Sequence, residues 1–165
     1  MRSSRAIALS GVLSALAVVL LWIGALSGLG TYAAPLLAGI ALTPVGRALG
    51  KKYHVLSFIA VSLLCCFLSA DWEMNLMFAG LFGWYPIVRP RLEKLRPPLR
   101  VIVKLAVFNI AAVGTELLVI RLIAPQSEER WIWIALLIFG NCTFLIYDFA
   151  LPRFEHVLAR RLKLS

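Results

Sequence analysis

The sequence predicts an all-α integral membrane protein: a six-transmembrane-helix bundle in one transmembrane domain, with the N- and C-termini cytoplasmic. Two observations carry this. Of 165 residues, 61% are hydrophobic and 15% charged, with a mean hydropathy of +0.88, whereas soluble domains carry about a quarter charged residues. The charges are also sorted along the chain by sign. A bilayer core about 30 Å thick needs roughly 20 apolar residues per helix, so the length allows at most about six spans and no soluble domain.

Hydropathy breaks at charged or Pro/Gly-rich positions give spans at 6–26, 31–49, 55–70, 74–88, 99–123 and 131–151. Arg2 and Arg5 before the first run imitate a signal peptide, but the run is long enough to span and further apolar segments follow closely. An uncleaved first span is expected. It carries Ser10, Gly11, Ser14 and Ala15, two overlapping small-xxx-small pairs that let another helix approach closely, either inside this bundle or from another membrane protein. In the second span Pro44 leaves the Ile40 carbonyl without its usual donor, which favours a kink, and Thr43 is placed to satisfy the freed group. The third and fourth spans reach only about 24 Å and are expected to lean on neighbours or thinned lipid. Ala79 and Gly83 make a weaker small-residue pair.

Between the fourth and fifth spans lies "WYPIVRPRLEKLRPPLR", Trp84 to Arg100, a basic loop punctuated by prolines. Arg91 to Arg96 is expected to form a short interfacial helix, with Leu92 and Leu95 toward lipid and the basic groups toward anionic headgroups. The loop serves either as a topological anchor or as a surface for a partner.

With the N-terminus inside, all basic residues except Arg121 and Arg130 fall on the cytoplasmic side, while Asp71, Glu73, Glu128 and Glu129 fall outside. So lopsided a Lys/Arg distribution predicts both termini inside. Trp72, Trp131 and Trp133 then mark the outer interface, and Trp84 with Tyr85 the inner one. The net charge of +9 therefore reports topology and not nucleic-acid binding.

Polar residues inside spans are few. Asn109 and Glu116 on the fifth span and Asn141 and Asp148 on the sixth are each seven residues apart, nearly on one helix face. At 1.5 Å per residue Asn109 and Asn141 both lie roughly 15 Å from the cytoplasmic ends and are expected to hydrogen-bond. Asp148 lies only about 4 to 5 Å in, level with Lys104 or Arg153, and is expected to form a boundary ion pair. Glu116 lies about 25 Å up its span, in the outer half with Arg121 and Asn75 nearby. There it belongs to a structural pair or to a ligand site.

Cys65, Cys66 and Cys142 lie in apolar runs and read as small core residues. "GRALGKK" lacks the spacing and hydroxyl of a phosphate loop. His54 and His156 have no ligand cluster around them, so no metal is expected. Neither a Gly-x-Ser-x-Gly elbow nor two intramembrane carboxylates at matching depth is present, so no enzyme and no cofactor are expected.

"FGWYPIVRPRLEKL", "KLAVFNIAAV" and "FGNCTFLIYDFAL", with "LLAGIALTPVG" in the second span, resemble small bacterial membrane proteins grouped with the S components of energy-coupling factor (ECF) transporters. The resemblance implies a subunit in the plasma membrane that captures a vitamin, another micronutrient or a small molecule from outside. It also implies docking onto a transmembrane coupling subunit with two cytoplasmic ATPases. Ser10, Gly11, Ser14 and Ala15 map onto the family's Ala-x-x-x-Ala-like docking face, with serine and glycine in place of the usual alanines. None of the family's vitamin-specific patterns is present, so Trp22, Tyr32, Asn75, Glu116 and Arg121 are candidate substrate-binding residues from outer-half position alone. The basic proline-rich loop supports the alternative of a non-transporting scaffold or assembly factor.

Overall fold

Apolar runs of this length bury their backbone polar groups best as helices. The computed structural model describes residues 2–27, 32–68, 71–122 and 130–161, with side chains throughout except at 2–3, 5–6, 119–120, 122, 130–136, 159 and 161. Among these residues all secondary structure is helical: α1 Arg2–Ser27, α2 Ala33–Leu49, α3 Lys51–Leu68, α4 Trp72–Met77, α5 Tyr85–Leu92, α6 Pro97–Leu122 and α7 Arg130–Arg161. A π-helical turn, Phe78–Phe82, follows α4 directly. Three segments, Ile7–Ser27, Lys51–Leu68 and Pro97–Leu118, are long and apolar enough to cross a membrane, and Ala33–Leu49 is a shorter apolar helix.

α2 is the central element. Every residue from Ala38 to Val45 is buried, as expected of a helix that is apolar all round. On one side Ala38 and Leu42 join Ala17 and Leu21 of α1, Val61 and Cys65 of α3, and Met74 and Phe78. On the other Ile40 joins Phe82, Phe108 of α6 and Phe144, Tyr147 and Leu151 of α7. The faces of α1, α3, α6 and α7 turned away from these clusters carry exposed Val12, Ile23, Leu63, Phe67, Ile110 and Ile146, an apolar surface suited to lipid.

Proline and glycine set the breaks. The Thr43 hydroxyl donates to the Ile40 carbonyl oxygen at 2.8 Å, satisfying the acceptor that Pro44 strands. α2 ends at Gly50, whose φ of 91° suits glycine and whose N–H caps the Gly46 carbonyl at 3.0 Å. The chain turns there at once, so α3 starts at Lys51, four residues before the expected edge of the third span. Asp71 caps α4, its Oδ1 accepting from the Met74 N–H at 2.9 Å.

The expected fourth span, 74–88, is interrupted. The Gly83 N–H reaches back five residues to the Phe78 carbonyl at 2.8 Å, and side chains donate to two carbonyls of this turn. The Trp84 indole N–H donates to Gly80 O at 2.7 Å, and the Tyr147 hydroxyl to Phe82 O at 2.9 Å. Phe82 needs that outside donor because the residue four ahead is Pro86, which has no N–H. The expected helix over Arg91 to Arg96 does not form: α5 ends at Leu92 and turns follow to Arg96. Tyr85, expected at an interface, is buried. Cys65 is buried as expected, but Cys66 and Cys142 are exposed, and all three are free thiols. Glu128 and Glu129, and the side chains of Arg130, Trp131 and Trp133, lie outside the described residues.

Candidate functional site

The π-helical turn shifts the side chains of Leu81 and Phe82 relative to a regular helix, and they form one wall of a cavity of about 150 Å³. α6 supplies Phe108, Ala112 and Glu116, spaced by four and hence on one helix face. α7 supplies Gly140 and Thr143, and Tyr32 stands at the mouth of α2. The wall is apolar apart from the Glu116 carboxylate and the hydroxyls of Tyr32 and Thr143. The Tyr32 hydroxyl also donates to Glu73 Oε1 at 3.2 Å, tying the start of α2 to the start of α4.

Phe108 connects this wall to a group of rings and amides outside the cavity. Phe108 and Phe144 lie parallel with centroids 4.4 Å apart, and Tyr85 meets Phe144 edge-on at 4.9 Å. Asn109 and Asn141 exchange two amide hydrogen bonds, each 2.9 Å. Their remaining N–H groups donate to Leu105 O and Leu137 O, both at 2.8 Å. This rung locks α6 to α7.

Below it sits a charged cluster. Asp148 Oδ1 accepts from the Tyr85 hydroxyl at 2.6 Å and from Arg89 Nε at 2.8 Å, while Oδ2 accepts from Lys104 Nζ at 2.7 Å. Lys104 also reaches Glu93 Oε1 at 2.5 Å. Glu93 further binds Arg89 Nη2 and Arg100 Nη1, each at 2.9 Å. Burial pushes the Glu93 carboxyl up, but the hydrogen bond from Lys104 and the charges of Lys104, Arg89 and Arg100 outweigh it and hold the group below the usual carboxylate range. Arg153 lies over the Phe149 ring at 4.0 Å instead of on Asp148.

Of the outer-half candidates, Tyr32 and Glu116 share the cavity. The other three do not join them. Trp22 is exposed on α1. Asn75 is buried, its Nδ2 donating to Cys65 O of α3 at 3.1 Å while its Oδ1 lacks a partner. Arg121 is exposed and outside the cavity wall. On α1 the buried positions include Leu13, Ala17 and Leu21. Gly11 and Ala15 are exposed, Ser10 and Ser14 partly so, and a Cβ at Gly11 would meet nothing within 4 Å. Tyr85, Arg89, Glu93 and Tyr147 were not among the expected polar partners. Arg89 and Glu93 do stand at i,i+4 spacing in the sequence, the one local signal of this cluster.

Among the described residues no group of three or more metal-ligating side chains gathers. Comparison of the chain with protein-family models, curated proteins and solved structures finds no match.

Proposed function

We propose that the chain is a six-span, S-component-like substrate-binding subunit of an ECF-type uptake system, with both termini cytoplasmic and no chemistry of its own. The cavity beneath Tyr32 and beside Glu116 is the observation that carries this. With the basic residues inside, it belongs to the outer half of the bundle. Apolar cavities of about 150 Å³ accept a guest the size of benzene, below the roughly 300 Å³ at which drug-sized sites begin. The ligand class that fits is therefore small and largely apolar, with a cationic or hydrogen-bond-donating group for Glu116. The uncovered Gly11 and Ala15 on α1 support docking onto a coupling subunit.

Ala112→Phe fills the cavity from α6 and is expected to abolish retention of a small molecule through purification while the thermal midpoint is kept. Glu116→Gln is expected to weaken retention. A wild-type protein that carries no ligand, and whose pull-down recovers neither coupling subunit nor ATPases, would sink the proposal. The scaffold alternative draws on exposed Arg91 in the last turn of α5 and exposed Lys94 and Arg96 on the α5–α6 connection. It wins if Glu116→Ala and Arg121→Ala leave function intact while charge reversal across 89–100 abolishes it.

A further inference from the structure

A second recess, of about 270 Å³, lies where α2 ends, α3 begins and α5 passes beside them. Its lining is charged where the first cavity is apolar: Arg47 of α2, Lys51 and His54 of α3, Arg89 and Arg91 around α5, and Glu155 of α7. Two of the four cations have carboxylate partners. Arg89 is held by Asp148 and Glu93, and Arg47 faces Glu155 at a loose 3.8 Å. Lys51 and Arg91 make no ion pair among the described residues, so the recess keeps an excess of positive charge.

Backbone donors add to this. α3 begins at Lys51, directly after Gly50, and its first described backbone bond runs from the His54 N–H to Gly50 O at 3.3 Å. The N–H groups of the three preceding residues are those a helix start leaves without an intrahelical acceptor, at the positive end of the helix dipole. His54 is independent evidence. It is only 4% exposed and lines the recess; its Nε2 is enclosed without a hydrogen-bond partner, so a guest meets the remainder of the ring.

We propose that this recess binds a phosphate-class anion, carried by an anionic lipid headgroup or by a soluble phosphate compound. Several oxygens on one centre can meet the arginine fork, the lysine ammonium and the imidazole together at the positive end of α3, which a single carboxylate cannot do as fully. The site is separate from the cavity near Glu116 and does not depend on transport.

The test uses the full-length protein with two probes: inorganic phosphate in detergent, and nanodiscs of phosphatidylcholine with or without phosphatidylglycerol. Lys51→Gln/Arg91→Gln is compared with Lys94→Gln/Arg96→Gln, which removes equal charge from exposed positions outside the recess. The first pair is expected to lose about tenfold in affinity, one charge-assisted contact's worth, with the second changing less than about twofold by the same arithmetic. His54→Phe, with every cation kept, is expected to weaken binding as well. Response to phosphate alone identifies a soluble ligand, and response to phosphatidylglycerol alone a lipid. The proposal is overturned if wild type binds neither, or if the two double variants lose affinity equally, since that is attraction to net charge.

Discussion

Asp148 accepts hydrogen bonds from Tyr85, Arg89 and Lys104, and Lys104 is only 7% exposed, though it and Arg89 keep Glu93 when Asp148 is lost. Asp148→Ala is therefore expected to cost about 1.5 to 3 kcal/mol, the range for lost hydrogen bonds to a charged group, because Glu93 still compensates the cations. Lys104→Met combined with Asp148→Leu removes both charges and is expected to recover most of that loss. Thermal unfolding in detergent separates the cases, and additive losses would contradict the coupling. The amide rung behaves similarly on a smaller scale. Asn109→Leu should cost on the order of 0.6 to 2 kcal/mol, and adding Asn141→Leu should cost less than a second such loss, because the orphaned amide is removed too.

At the scale of elements, the interruption of the helical segment between Trp72 and Leu92 is the feature that shapes the site. Just beyond its π-helical turn Pro86 cannot donate to Phe82 O, and the Tyr147 hydroxyl of α7 donates instead. Tyr147→Phe leaves that buried carbonyl orphaned and is expected to destabilise by about 1 to 3 kcal/mol. Gly39→Ala attacks the same junction from α2: a Cβ there would sit 2.5 Å from Phe82 O and 2.6 Å from the Tyr147 hydroxyl. The first of these is backbone, so the helices must separate. Both variants are expected to lower the melting midpoint and to weaken ligand retention, since Phe82 is a wall of the cavity. Retention unchanged at a lowered midpoint would show that the junction is structural only.

For the whole molecule, the charged cluster links pH to cohesion between α5, α6 and α7. Glu93 has its carboxyl held below the usual value, about 4.3 for an unperturbed glutamate. Its contribution is thus fully present above that value and is lost as pH falls through the lower folded-state value. Stability in detergent should be level from neutrality down to about pH 5 and fall below about 4.3. Glu93→Gln should lower the plateau and flatten the acid limb. An acid limb of the same depth in wild type and variant would remove Glu93 from the account.

Composition and charge order determined that the chain is helical and apolar, because those properties follow from local hydropathy and backbone hydrogen bonding. Depth along a helix, fixed at about 1.5 Å per residue, was enough to level Asn109 with Asn141 and Lys104 with Asp148, the pairs that meet in the structure. Depth does not say which way a residue faces. Asn75 and Trp22 lie at heights where they could have joined Glu116, but one turns to α3 and the other outward. Which faces converge depends on how α2 seats between its two clusters and on the wider, π-helical turn of backbone between Phe78 and Gly83. Those are consequences of packing between distant segments, and only the tertiary structure decided that Tyr32 and Glu116 share a cavity while Arg89, Glu93, Lys104 and Asp148 close the other end.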